Sequence, residues 1–481
     1  MPTRLTRLIV NEGSPRPTFQ SSSEQAEPNK HDLRCRVQTT LSEHGGPLDL
    51  GVARMSEWYN EFVEAYQPEP SDLICLFKVR PAPGFTIEDA AGRVASESSV
   101  GTWTEVTTMK PRIRKLMAKA YEIKGNTVKV AYPVQLFEPG NMPQIVSSIA
   151  GNIFGMKAVR SLRLEDIRWP EELMRSFEGP LFGIHGVRKI FTAMKRPLTA
   201  TVPKPKLGLT AKEHAHAGFE AWVGGVDLLK DDENLSSQRF NKFSERVNEC
   251  FRLRDKAEKE TGERKSYLIN VTAETEEMIR RAKAVSNAGG EYVMVDVLTA
   301  GWSALQSLRK VCQDLRLAIH AHRAFHAAFT RNRWHGMSML AVSDVARLIG
   351  VDQLHIGTVV GKLESPLEEV IALRDNLQGR TVEAGQWLLG QDWGSIKSVF
   401  PTCSGGLHPG LIPQVIKAVG SNIIIQAGGG IWGHPDGGRS GAIALRQAIE
   451  ATTNGQDLQD YALDRKELRR ALETWGVKTF R

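Results

Sequence analysis

After residue 180 the chain repeats one pattern eight times: a short apolar run of strand length that closes on polar residues, with a helix-length segment after most of the runs. The runs close at residues 204–206, 230, 270–272, 296, 320–322, 355, 402–404 and 426–428. Spacings of roughly 25 to 45 residues, over about 250 residues in all, are what an eight-stranded parallel β/α barrel requires. The count favours a closed barrel over an open sheet. The polar residues all fall at the C-terminal end of their runs, the end on which such barrels assemble sites from several βα loops. Folding alone would scatter lysine, histidine and aspartate over both ends.

The preceding part of the 481-residue chain reads differently. Residues 1–54 are rich in Ser, Pro, Gln, Glu and Thr without an apolar period, as in a flexible extension. Over residues 55–182, runs at 73–79 and 127–133 read as strands and 86–96 as an amphipathic helix. With residues 144–149 they suggest a compact α+β domain, and residues 183–481 form the barrel domain.

A net charge of +7 raises the question of nucleic acid, but the bases are scattered and residues 1–66 hold more acids than bases. Such a surface suits a phosphorylated small substrate at least as well. Five cysteines, Cys35, Cys75, Cys250, Cys312 and Cys403, lack any Cys-x-x-Cys pair, which argues against a disulfide framework or a zinc ribbon. No run approaches 18 apolar residues and no apolar signal core opens the chain, so a cytoplasmic protein without a membrane span is expected.

The second run ends Gly-Val-Asp-Leu-Leu-Lys-Asp-Asp-Glu over residues 225–233. One reading is a solvated helix start whose acids suit the helix dipole. The other is a site for a hard divalent cation such as magnesium, with Asp232 and Glu233 as oxygen ligands. In that reading Lys230 reacts with carbon dioxide, and its carbamate turns a cation into a third oxygen ligand.

Lys204-Pro205-Lys206 places two amines at alternate positions, hence on one face of the first strand, as a proton donor and acceptor pair or as a plain surface pair. His320-Ala321-His322-Arg323, with His326 beyond it, allows a zinc site or buried structural histidines. Arg323 suits a phosphate better than a metal, because its guanidinium grips phosphate through two bonds. Loops at residues 402–406 and 427–430 follow the last two strands, where glycine-exposed amides often bind phosphate; tight turns are the alternative. Two such loops together with Arg323 and His355 point to a bisphosphate. Residues 355–362 form a glycine-flanked loop with Lys362 at its tip, either a lid that excludes water or an exposed mobile loop.

Taken in order, these motifs resemble the large subunit of ribulose-1,5-bisphosphate carboxylase/oxygenase from about residue 55 onward. Residues 149–156 and 202–206 look most like the archaeal-type, form III, enzymes. The resemblance implies a ferredoxin-like N-terminal domain ahead of a TIM barrel. It further implies a carbamylated Lys230 that holds one magnesium ion with Asp232 and Glu233 and draws the proton from the third carbon of ribulose 1,5-bisphosphate. The resulting enediolate would attack carbon dioxide, or oxygen. Lys204 would move protons, Lys206, His322 and Asn152 would steady the enediolate, and Lys362 would orient the gas. One phosphate would rest against Thr102, Trp103, Gly406, Gly428 and Gly429, with Gly405 in the same loop, and the other against Arg323, His355 and Ser404. Glu97, Thr102, Trp103 and Asn152 would reach the barrel mouth of a neighbouring subunit, so a homodimer is the smallest active unit, open to further association.

Three features depart from the family pattern: the N-terminal extension, Ser365 where the lid often has glycine, and Val202 where plant-type enzymes have threonine. A same-fold enolase or isomerase acting on a related sugar phosphate is the competing enzyme, and it typically alters the lid lysine, the asparagine or the phosphate contacts. A silent scaffold that binds nucleic acid would need a basic stripe that the chain lacks.

Overall fold

The computed structural model describes residues 57–361, 366–385 and 387–477. The extension over residues 1–54, the lid-tip Lys362 and Ser365 lie outside the described residues. Strands β1 (Leu73–Pro81), β2 (Lys119–Lys124), β3 (Thr127–Tyr132) and β4 (Val159–Arg168) form an antiparallel sheet in the order β4-β1-β3-β2. Helices Ile87–Glu97 and Met142–Ile149 lie between β1 and β2 and between β3 and β4, which makes the unit ferredoxin-like. Thr86 starts the first of these helices: its hydroxyl accepts from the Asp89 amide while the Asp89 carboxylate accepts from the Thr86 amide.

β2 and β4 escape a reading of apolar periodicity because both are full of charge. In β4, Arg163, Glu165 and Asp166 are buried. Glu165 answers Lys78 of β1 at 2.9 Å and Arg163 at 3.1 Å, so these buried charges are paired, while Asp166 accepts from the Leu389 amide at 2.7 Å.

Further strands follow in chain order: β5 (Leu198–Thr201), β6 (Leu228–Lys230), β7 (Ser266–Asn270), β8 (Tyr292–Asp296), β9 (Ala318–His322), β10 (Gly336–Met337), β11 (Gln353–His355), β12 (Thr381–Val382), β13 (Gln391–Asp392), β14 (Phe400–Ser404) and β15 (Ile424–Gln426). The expected barrel is present, closed and all-parallel, in the order β11-β14-β15-β5-β6-β7-β8-β9 and back to β11. β12 and β13 make a small separate hairpin. β10 leaves the barrel altogether and pairs in parallel with β4 of the N-terminal sheet. Arg163 reinforces this join through bonds to the carbonyls of Thr330 and Asn332, and Ser338 bonds the Glu165 carbonyl.

Alternation along the strands explains where the polar groups go. Leu198, Leu228, Leu268, Met294, Ala318, Phe400 and Ile424 form one enclosed cluster with Ile184, Val187 and Phe191 of helix Gly183–Phe191, which closes the N-terminal end of the barrel. Two residues further along the same face stand Lys230, Asn270, Asp296, His320 and Gln426. The interior is therefore oily at the bottom and ionisable at the mouth. Among the described residues no helix is long and apolar enough to cross a membrane, and Cys75, Cys250, Cys312 and Cys403 are all buried free thiols.

Candidate active site

Lys230 ends β6 with its side chain fully enclosed. Its Nζ donates to the backbone carbonyl of Asp231 at 2.8 Å and lies 3.9 Å from Glu233 Oε2. Burial drives the lysine below its ordinary pKa, against the opposing charges of Glu233, Asp296, Asp232 and Asp231. A neutral amine, the form that is nucleophilic, is thus brought closer to physiological pH. Asp232 turns toward Lys204, Oδ2 to Nζ 3.0 Å. Burial alone would raise the Asp232 carboxyl, but the lysine and Asn234 more than reverse this and leave it below the usual range.

Lys204 and Lys206 do not share a strand face. β5 ends at Thr201, so both lysines lie on the loop beyond it; Lys204 bends back to Asp232 whereas Lys206 is exposed.

Asp231, flanked by two candidate ligands, faces the opposite way. Its carboxylate receives Arg246 at 3.1 Å, His214 at 3.2 Å, the Asn270 amide at 3.0 Å and the Tyr267 hydroxyl. Burial pushes this acid up, yet Arg246, His214 and Tyr267 together pull it down to about 2. The loop that carries Asp232 and Glu233 is thereby pinned from behind to helix Phe243–Thr261 and to β7. None of Arg246, His214 and Tyr267 was legible as a site residue, because each comes from a different element and has no motif around it.

His322 Nδ1 lies 2.9 Å from Asp296 Oδ1, and its Nε2 lies 3.7 Å from Glu233 Oε2. Burial and then Lys230 lower its pKa, while Asp296 works the other way. The three-histidine zinc arrangement is not formed. His326 bonds Thr330 at 2.9 Å, and His320 is engaged by Gln353 and His355. Among the described residues no group of three His, Cys, Asp or Glu side chains is placed to hold a metal ion.

Arg323 is buried beside His355, and burial lowers its pKa to about 10. Gly405 and Gly406, after β14, both hold positive φ, 119° and 83°, which side chains rarely adopt. At Gly429 an added Cβ would meet nothing within 4 Å, so packing does not require glycine there and the backbone is left open to a ligand. Gly361, after β11, packs against the Gly405 carbonyl so closely that an added Cβ would lie 1.8 Å from it.

The chain matches two family models that together span most of this fold. Residues 61–173 match the ribulose bisphosphate carboxylase large chain, N-terminal domain, and residues 183–475 match the catalytic domain of the same large chain. The chain belongs to the ribulose bisphosphate carboxylase large-chain family. It is 50% identical over 425 residues to the ribulose bisphosphate carboxylase of Pyrococcus abyssi, covering 87% of this chain and 97% of that protein. A dimeric archaeal Rubisco from Hyperthermus butylicus superposes with a TM-score of 0.83 at 49% identity, over 87% of this chain and 99% of that one. An octameric Rubisco from Pyrococcus horikoshii, solved with sulfate, gives 0.82 at 49% identity, over 88% and 98%.

Within this carboxylase-family chain, four expected site residues stand apart from the barrel mouth. Glu97 and Asn152 are exposed and bond each other at 3.4 Å; the Thr102 carbonyl accepts from Trp58 at 2.9 Å, and Trp103 is 67% exposed. Among the described residues none of the four makes a hydrogen bond or ion pair with Lys230, Asp232, Glu233 or His322.

The donor set fits magnesium. Asp232 and Glu233 are hard oxygen donors of the kind that ion takes, and Glu233 adjoins a buried amine of lowered basicity.

Proposed function

We propose that the protein is a ribulose-bisphosphate carboxylase, converting ribulose 1,5-bisphosphate, carbon dioxide and water into two molecules of 3-phosphoglycerate. The observation that carries this reading is the wholly enclosed Lys230 amine, 3.9 Å from the Glu233 carboxylate at the end of β6. A lysine with no solvent and lowered basicity is a poor ammonium and a good acceptor of carbon dioxide.

As a carbamate, Lys230 would join Asp232 and Glu233 in holding magnesium and would stand ready to take the proton from the third carbon of the substrate. The ion, when bound, would supply fixed positive charge opposite the substrate oxygens. Lys204, within bonding reach of Asp232, would carry protons to and from the reacting carbons. His322, oriented by Asp296, would steady the developing enediolate with Lys206 and Asn152. Lys362 would hold the incoming gas. One phosphate would rest on the amides of Gly405, Gly406, Gly428 and Gly429 with Thr102 and Trp103 of a second subunit. The other would be taken by Arg323, beside His355 and Ser404. Glu97 and Asn152, with Thr102 and Trp103, would reach the barrel mouth of a neighbouring subunit, so that a homodimer would be the active unit, in keeping with the dimeric and octameric relatives.

Incubation with bicarbonate and magnesium, then with ribulose bisphosphate and labelled carbon dioxide, is expected to yield labelled 3-phosphoglycerate. Lys230→Ala is expected to abolish it. Unchanged turnover in that variant would reject the assignment.

A further inference from the structure

Both ring nitrogens of His320 and of His355 are taken by protein partners, and the bonds run in one line through the barrel interior. Gln353 Nε2 donates to the Tyr292 hydroxyl at 3.2 Å, and Gln353 Oε1 lies 2.7 Å from His320 Nδ1. His320 Nε2 lies 2.9 Å from His355 Nε2, and His355 Nδ1 lies 2.6 Å from Ser404 Oγ. Tyr292, Gln353, His320 and His355 are all buried, and Ser404 alone is half-open at the mouth. Burial holds both imidazoles well below the usual histidine range; His322, His320, Lys230 and Arg323 reinforce this at His355. Each neutral ring carries one proton.

The direction of the line follows from elementary donor and acceptor counting. An amide oxygen only accepts, so His320 carries its proton on Nδ1 and leaves Nε2 bare. That bare nitrogen accepts from His355 Nε2, which leaves His355 Nδ1 bare in turn. The 2.6 Å bond must then be donated by Ser404, whose hydroxyl has only one proton to give. Turning the Gln353 amide over would reverse every bond. The enclosed guanidinium of Arg323, acting on His355, favours the direction found, because it turns the bare Nδ1 lone pair of that ring, rather than an N–H, toward the mouth where the cation lies.

We propose that Gln353 is a positioning residue that acts through His320 and His355 to fix Ser404 as a hydrogen-bond acceptor at the barrel mouth, suited to a substrate hydroxyl rather than a phosphate oxygen. The identity of that hydroxyl-bearing substrate rests on the carboxylase reading; the ring protonation does not. Phosphate recognition at this end then falls to Arg323.

Neutron diffraction, or nitrogen NMR of protein labelled in its histidine rings, reads the protons directly without substrate. The expected result is His320 protonated on Nδ1 and His355 on Nε2. A proton on His355 Nδ1 overturns the proposal. Gln353→Met is expected to leave a mixture of ring tautomers and to lower kcat/KM for the bisphosphate about tenfold, the worth of one well-made bond. Gln353→Glu, which keeps an acceptor facing His320, is expected to retain the single tautomer. Unchanged ring protons in Gln353→Met would also overturn the proposal, since something other than Gln353 would then set them. Failure of the carboxylase reading would appear as missing 3-phosphoglycerate from the unaltered protein with the rings as expected. Failure here appears in the rings whatever the assay gives.

Discussion

Arg246 and Asp231 meet at 3.1 Å with both side chains completely enclosed, directly behind the loop that presents Asp232 and Glu233. Removing one member of such a pair strands the other's charge away from water, a loss of roughly 3–5 kcal/mol. Arg246→Met is therefore expected to lower the denaturant midpoint sharply. It should also weaken magnesium-dependent stabilisation, because the ligand loop loses its rear anchor. Unfolding curves with and without the ion separate the two effects.

The same acid sets an acid limit on stability. Asp231 is held at about 2 against an ordinary 3.8, so its contribution is fully present above pH 3.8 and fades as pH falls toward 2. The stability gap between the unaltered protein and Asp231→Asn is expected to stay level at neutral pH and to narrow below about pH 4. A gap that ignores pH in that window would mean the carboxylate owes nothing to its partners.

Lys230 gives the opposite kind of dependence. Its lowered pKa means that the neutral amine appears at lower pH than it would for an exposed lysine with the ordinary 10.5. Uptake of labelled carbon dioxide at this residue, trapped chemically, should rise with pH along a curve whose midpoint lies below 10.5.

Asp296 holds the Nδ1 side of His322 at 2.9 Å. Asp296→Asn keeps the shape but loses the charge that fixes the ring, and kcat is expected to fall on the order of 10²-fold, as for a displaced catalytic group. Thermal unfolding close to that of the unaltered protein would separate misorientation from misfolding.

In the segment after β11, Gly361→Ala forces a carbon against the Gly405 carbonyl. The segment after β11 and the loop after β14 must part for it to fit. Turnover should drop while KM for the bisphosphate rises, and the melting temperature should move little, since residue 361 is not in the core. Equal kinetics would mean that the two loops tolerate separation.

Much of this arrangement was legible because the barrel writes itself twice into the chain, once as spaced apolar runs and once as polar endings on them. Lys230, Asp296, His322, His355 and Ser404 were all placed at strand ends by that logic, and there they lie. Lys204 and Lys206 were misplaced because β5 stops three residues early, a boundary that apolar content does not mark. The partners of Asp231 and the line from Tyr292 to Ser404 were invisible for a deeper reason. They depend on which strands close next to which: His320 and Gln353 are 33 residues apart and touch only because β9 and β11 are neighbours.

The short ribbon β10 has a mechanical consequence. The stretch that begins at Arg323 leaves the barrel at β9 and is stitched, at Gly336 and Met337, to β4 of the other sheet. Both ends of that arginine-bearing span are thus tied down, one in each half of the molecule, like a guy-rope between two posts. Chimeras that swap one relative's barrel onto another's first half should succeed only when β4 and residues 323–338 travel together.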